Sequence, residues 1–541
     1  MISGAAIVAR RSLWCPVMQA SALTFSLVGL DAHPIRVEVD SGRGPASFQL
    51  VGLAEASVRE SRVRVRAALQ QIGVELDEHV ITVNLAPADV RKSGGAYDLA
   101  IAAATLAALG KIPAEPLEHT GLLGELSLSG AIRPVRGVLP ALCGAAAQGV
   151  TRAIVPRDNA REAAAAPGVQ VGVVGHLRDL VAHLRGDQPL PGPGEATPAP
   201  PARQTHIGVD LEEIRGQHAA RRALEIAAAG GHNLVMMGPP GSGKTMLARR
   251  LPTILPPLGF EEAIEVTAIH SIAGLLSPDR GLVGARPFRA PHHSVSAAGL
   301  VGGGDPVRPG EVSLAHHGCL FLDELLEFRR GAIEALRQPL EEGQVAICRA
   351  RGRVTFPARP LVVAAINPCP CGFAGDRLGR CSCNPERVRT YKARLSGPIL
   401  DRIDLQITLP PVEVAQLSGG ARGEPSAAVR ARVEAARAAQ RARFLAGEAT
   451  APLNAALGPR DFEGASAPDE AGARLLERSM ERLGLSARAY GKVLRVARTI
   501  ADLAGSTALR GPHVAEAIGL RLIDRDAGAA LPQAAPAQPP P

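Results

Sequence analysis

Gly238-Pro-Pro-Gly-Ser-Gly-Lys-Thr245 follows an apolar run, Asn233–Met237, and opens a helix-forming stretch, Met246–Leu251. Strand, glycine-rich turn and helix, in that order, are the setting in which the pattern G-x-x-x-x-G-K-[ST] holds phosphate. Gly238, Gly241 and Gly243 let backbone N–H groups converge on phosphate oxygens, with Pro239, Pro240 and Ser242 completing the turn. The following helix N-terminus adds a favourable dipole. In this frame Lys244 reaches the β- and γ-phosphates and the Thr245 hydroxyl meets Mg2+. The same octapeptide without its strand and helix would be only a chance glycine-rich turn.

Outward from this stretch, Cys319-Leu-Phe-Leu-Asp-Glu324 is a second apolar run, ending in two carboxylates. Phosphoryl transfer needs one carboxylate on the metal and a group that orients the attacking water. Asp323 suits the first role and Glu324 the second. A third run, Leu361–Ile366, ends in Asn367, which can hold the lytic water or sense the γ-phosphate. Alone, Asp-Glu at a strand end or Asn before a proline would be ordinary strand exits. Together with the upstream turn they imply an ATPase using ATP and Mg2+, built on a parallel sheet with covering helices.

The 541 residues exceed one ordinary core and suggest two to four domains. Hydrophobic residues make up 46% but aromatics only 3%, so Ala, Val, Leu and Ile must fill the interior. The first break is Gly186–Gln204, rich in Pro, Gly and Ala, which reads as a linker. Residues 1–185 alternate short β-like and helical runs and form an α+β or α/β domain. Residues 205–410 carry the nucleotide core with a Cys-rich insertion at 369–383, residues 411–525 are helical, and 526–541 form a disordered Pro/Ala tail. The chain is thus an α/β multidomain protein. No apolar stretch reaches the roughly 18 residues of a membrane span, and no signal peptide is evident, so a cytoplasmic protein with reduced thiols is expected. The net charge of +8 is compatible with a polyanionic partner without proving one.

Four of the eight cysteines crowd together as Cys369-Pro-Cys371 and Cys381-Ser-Cys383. Four thiolates suit a tetrahedral, closed structural Zn2+; free thiols or a redox-labile loop are the alternatives. In Gln344–Arg359 the basic residues Arg349, Arg351 and Arg353 share one parity, so a β-hairpin would put them largely on one face, suited to a polyanion. A solvated turn is the bland alternative. Arg377, Arg380, Arg387, Arg389 and Lys392 form a second basic candidate. His292 and His293, on a segment read as extended, should point to opposite sides and share no metal.

Several longer runs carry a resemblance. GHNLVMMGPPGSGKTMLARR, RPFRAPHHSVSAAGLVGGG, PGEVSLAHHGCLFLDELLEF, NPCPCG and RLSGPILDRIDL are similar to the YifB/ComM group of magnesium-chelatase-like AAA+ ATPases. The resemblance covers nearly all of residues 1–525. It implies an N-terminal Lon-protease-like domain, a central AAA+ core, a C-terminal helical lid and assembly into hexamers. It also suggests a DNA partner, branched or single-stranded, and branch migration during natural transformation. It makes Asn367 the sensor-1 position, Arg402 the finger reaching a neighbour's γ-phosphate with Arg394 as competitor, and Arg488 the sensor-2 arginine. The Arg349–Arg353 hairpin falls where ring helicases resembling this family carry a pore hairpin. Gly124–Val138 and Arg91–Asp98 resemble the Lon peptidase fold, yet the nucleophile and amine positions fall on Ala96 and Leu139, which cannot form a Ser-Lys dyad. Two other readings remain: a chelatase-type ATPase that drives metal insertion, and a regulatory ATPase that remodels a protein partner through residues 1–185.

Overall fold

A computed structural model describes residues 18–52, 55–194, 208–278, 281–349, 352–375, 378–394, 397–411, 422–463, 467–483 and 486–521. Most of the linker, the C-terminal tail, Arg351 and Arg377 lie outside the described residues. Compact packing divides the chain into two units: Met1–Ala202 with Phe260–Val283, and Arg203–Gly259 with Gly284–Pro541. No helix among the described residues is long and apolar enough to cross a membrane.

The first unit holds a seven-stranded mixed sheet in the order Ser47–Val51, His79–Ala86, Asp31–Arg43, Gln19–Val28, Thr120–Leu122, Arg152–Pro156, Gln170–Val174. Asp31–Arg43 shows the alternation of a half-covered strand: Ile35, Val37 and Val39 are buried while Arg36, Glu38 and Asp40 are exposed. The helix Asp98–Ala108 is buried along its whole length, which its Ala, Leu and Ile content allows. Its one carboxylate, Asp98, is held by the Arg64 guanidinium at 2.6 and 3.0 Å. The helix Phe260–Ala273 belongs to this unit and packs on Val138–Ala147. Sequence alone places it in the nucleotide core, because a helix carries no mark of the surface it will cover. Its Ser271 hydroxyl donates to buried Glu162 and accepts from Gly137 N at 2.8 Å.

The second unit is built on five parallel strands in the order Phe288–Arg289, Cys319–Leu322, Leu361–Ile366, Leu234–Met237, Leu405–Thr408. The runs LVMM, CLFL and LVVAAI are buried throughout, as expected for strands covered on both faces. Register brings the carboxyl ends together: Met237 lies beside Ile366, and Leu322 beside Ala364. Gly238, Asp323 and Asn367, the next residue of each strand, therefore emerge on one edge. In open parallel sheets that edge is where ligands bind.

The C-terminal helices Ser426–Leu445, Ala487–Leu503 and Gly511–Gly519 share one apolar core with the sheet and with the helices His218–Gly230 and Lys244–Ile254. A buried polar knot joins them. Lys492 donates to Asp404 at 2.7 Å, and His232 lies 3.6 Å from the same carboxylate and 2.7 Å from the Thr499 hydroxyl. Burial alone would raise the Asp404 pKa, but Lys492 and His232 more than offset it and hold the carboxyl well below its usual range.

Candidate nucleotide site

The glycine-rich turn closes on itself through Ser242 N donating to Pro239 O at 3.2 Å, and Gly238 N donates to Ile366 O at 3.2 Å. Gly241 and Gly243 have φ of +78° and +90°, values that favour glycine. A Cβ built on either would meet nothing within 4 Å, so the turn encloses open space rather than packed side chains. Lys244 is buried, and its ammonium donates to Gly238 O at 2.6 Å, Pro239 O at 3.0 Å and Asn367 Oδ1 at 3.2 Å. Burial lowers its pKa, while Asp323 and Glu324 pull in the opposite direction. The Thr245 hydroxyl donates to Asp323 Oδ2 at 2.8 Å, and Asp323 Oδ1 accepts from Glu324 N at 3.0 Å. Glu324 takes φ of +51° and leaves its side chain exposed beside the turn.

These residues suit a magnesium-bound triphosphate. Among the described residues the buried Ser242 hydroxyl has no hydrogen-bond partner, and the lysine donates to neutral acceptors. A carboxylate and a hydroxyl already touch where a hard cation would sit. Two features escaped the sequence. His293 Nδ1 lies 3.7 Å from Glu324 Oε2, which only the pairing of Phe288–Arg289 with Cys319–Leu322 could reveal. The rings of His292 and His293 also lie side by side, centroids 4.1 Å apart, instead of on opposite sides. The segment is a turn, closed by Val295 N donating to His292 O at 3.0 Å, and not an extended strand.

The cysteine cluster follows directly on Asn367. Cys369 Sγ lies 3.3 Å from Cys371 Sγ and 3.8 Å from Cys381 Sγ, and Cys371 Sγ is 3.6 Å from Cys381 Sγ. All four sulfurs fall within 4.8 Å of one another. Zn–S bonds of about 2.3 Å in a tetrahedron space sulfurs about 3.8 Å apart. A disulfide would need about 2.05 Å. Cys369 Sγ accepts from Ala374 N at 3.2 Å, and the Phe373 backbone helps push the Cys371 thiol down to about 6.

Three family descriptions match successive stretches of the chain: "Subunit ChlI of Mg-chelatase" over 37–159, "Magnesium chelatase, subunit ChlI" over 210–417, and "Magnesium chelatase, subunit ChlI C-terminal" over 423–521. The protein YifB of Escherichia coli is 44% identical over 504 residues, covering 93% of this chain and 97% of that protein. The competence protein ComM of Haemophilus influenzae is 43% identical over 502 residues, 92% of this chain and 96% of its own. The chain belongs to the YifB/ComM family. Lon protease 1 of Bacillus subtilis is 27% identical over 176 residues, 30% of this chain and 22% of its own length. The fold is accordingly a Lon-protease-like N-terminal region, a magnesium-chelatase-like AAA+ core with a parallel sheet, and a helical C-terminal region. Family membership carries an expectation of ATPase activity with ATP and Mg2+.

In this YifB/ComM member the Lon-like positions carry no reactive group. Ala96 offers its carbonyl to Gly124 N at 3.1 Å, and Leu139 is fully buried with its N–H on Glu162 Oε1 at 2.9 Å. The arginines differ sharply in freedom. Arg402 pairs with Glu341 and its side chain is 11% exposed; Arg394 is 57% exposed, its guanidinium 3.3 Å from Leu326 O and 3.7 Å from Glu327. Arg488, near the start of Ala487–Leu503, is 68% exposed and 4.0 Å from Asp401. Arg402 meets Glu341, Arg394 meets Glu327 and Arg488 meets Asp401.

The basic hairpin forms from Gln344–Arg349 and Gly352–Pro357, with Arg349 opposite Gly352 and Cys348 opposite Arg353. Cross-strand partners share a face, so Arg349 and Arg353 stand on opposite faces near the tip, both exposed. The expectation of one shared face fails because the chain reverses between the paired strands, and parity does not carry across a reversal. Arg351 lies outside the described residues.

Proposed function

We propose that this chain is an ATP-driven ring motor that works on DNA in the cytoplasm, moving branched duplexes during recombination or DNA uptake. The observation that carries the ATPase half is the meeting of Lys244, Thr245, Asp323 and Asn367 in one pocket at the carboxyl edge of a parallel sheet. Bound Mg2+ would neutralise charge on the β- and γ-phosphate oxygens. The chain supplies the rest. Backbone N–H groups of Gly241 and Gly243 would orient the phosphates, and Lys244 exchanges neutral acceptors for charged ones. Thr245 and Asp323 would hold the cation, Glu324 would orient the attacking water, and Asn367 would read the terminal phosphate. Arg402 reaches a neighbouring subunit once it leaves Glu341, with Arg394 the more accessible competitor, and Arg488 reports nucleotide to the lid. A structural Zn2+ in the four-thiolate cluster is the second metal.

The DNA half is supported by the likeness to a competence protein and by the exposed arginines of the hairpin. ATP hydrolysis by the full chain should rise on adding branched DNA and vanish in Lys244→Ala. Hydrolysis that ignores DNA and shows no DNA binding at low salt would refute the cargo. A protein-directed reading is favoured by the first unit, which packs a hydrophobic core of its own. Under that reading only a partner protein stimulates the ATPase.

A further inference from the structure

The cysteine loop has neighbours on two sides of the nucleotide pocket. Asn367, whose amide oxygen receives the Lys244 ammonium, is separated from Cys369 by one proline. Gly372, between the two cysteine pairs, lies against Pro240 of the phosphate turn: a Cβ there would fall 2.5 Å from Pro240 Cδ. Its N–H donates to Cys369 O at 2.9 Å, tying that approach to the first ligand position. On the far side, Cys383 runs straight into the helix Pro385–Lys392, capped by Asn384 accepting from Arg387 N at 2.7 Å. That helix buries Tyr391 near Glu327 and Glu324, and Arg394 just beyond it donates to Leu326 O at 3.3 Å. The loop therefore spans from the phosphate turn to the segment that follows Glu324. Arg380 stacks over Phe373, 4.5 Å from its ring centre, but little apolar burial holds the remainder.

We propose that Cys369, Cys371, Cys381 and Cys383 bind one tetrahedral Zn2+, and that the metal-closed loop braces both walls of the ATP pocket, so that metal loading sets ATP affinity. The coupling rests on the ATPase reading above. The spacings of 3.3 to 3.8 Å among the Cys369, Cys371 and Cys381 sulfurs match the edges of a thiolate tetrahedron, Cys383 lies within 4.8 Å of them, and all four are free thiols, which leaves no covalent tie to fix the loop. Four protein ligands fill the ion's coordination, so its role is to hold shape and not to meet substrate. Without the ion, thiols crowded at such spacing separate, and Gly372 and Pro240 leave their fixed register. Small displacements of a phosphate-binding backbone are costly because its N–H groups act only when aimed.

The test uses the full chain. Elemental analysis should find one zinc per chain. Chelation under reducing conditions, followed by return to Mg2+ buffer, should weaken ATPγS binding by at least about tenfold. Reloading with Co2+ should restore that affinity together with the visible d–d bands of tetrahedral cobalt thiolate. Cys383→Ser should reproduce the stripped state, while Cys143→Ser, in the other unit, should not; if Cys383→Ser fails to fold, the stripping and cobalt arms still decide. Absence of zinc and of cobalt bands overturns the site. Zinc present with unchanged ATPγS affinity after stripping overturns the coupling alone. An untreated, zinc-loaded chain that binds no ATPγS defeats the ATPase reading and the coupling with it.

Discussion

The Lys244 ammonium has three protons and directs all of them at neutral oxygens: two carbonyls of the phosphate turn and the Asn367 amide. Charged acceptors make hydrogen bonds worth about 1.5–3 kcal/mol each, so a triphosphate should displace these partners readily. Lys244→Ala should lower ATP affinity by at least about a hundredfold, measured by titration of ATPγS at constant Mg2+. A second residue-scale test concerns stability. Asp404 has a depressed pKa in the folded chain, so its contribution is present in full above its unfolded value near about 4 and is lost progressively as pH falls from there through the lower folded value. Asp404→Asn leaves the Lys492 ammonium buried without its carboxylate and should cost about 3–5 kcal/mol near neutral pH. Urea unfolding at pH 7 and pH 3 should show that gap narrowing in acid; an equal gap at both values would contradict the pairing. The candidate pocket is legible in the sequence because Gly238, Asp323 and Asn367 each follow an apolar strand, and parallel pairing brings those strand ends onto one edge. His293 is not, since nothing local to Ala-Pro-His-His-Ser reveals which carboxylate lies across the sheet.

At the scale of elements, strands and helices declare themselves where apolar residues run unbroken, as in LVVAAI, or repeat at helical spacing. Ser486 caps Ala487–Leu503 by accepting from Ala489 N at 3.2 Å. Ser486→Ala should destabilise the second unit by about 1 kcal/mol with little change in ATP affinity. The hairpin shows where local reading stops. Reversal between its paired strands converts equal parity into opposite faces, so Arg349 and Arg353 would meet a polyanion from two sides rather than as a stripe. Replacing both with Ala should weaken DNA binding alike across sequences and reduce the salt slope by about 1 for each phosphate no longer neutralised. Affinity that falls for one sequence only would assign them to base reading instead.

For the whole molecule, the long-range arrangement is the least readable. The passage of Phe260–Val283 into the first unit depends on pairings between segments more than a hundred residues apart, such as Ser271 with Glu162. Family likeness points to Arg402 as the finger, but the structure pairs Arg402 with Glu341 and leaves Arg394 more exposed. If Arg402 acts between subunits, Arg402→Ala should bind ATP normally and hydrolyse almost none, while Arg394→Ala should stay active; the reverse pattern moves the finger to Arg394. The most direct measurement of the ATPase mechanism is single-turnover hydrolysis by Glu324→Gln. Mg2+–ATP should bind as in the parent chain while hydrolysis slows by about 10²–10⁴-fold, leaving intact ATP on the protein. Hydrolysis at the parent rate would contradict that mechanism, because the carboxylate beside Asp323 would then have no part in the chemistry.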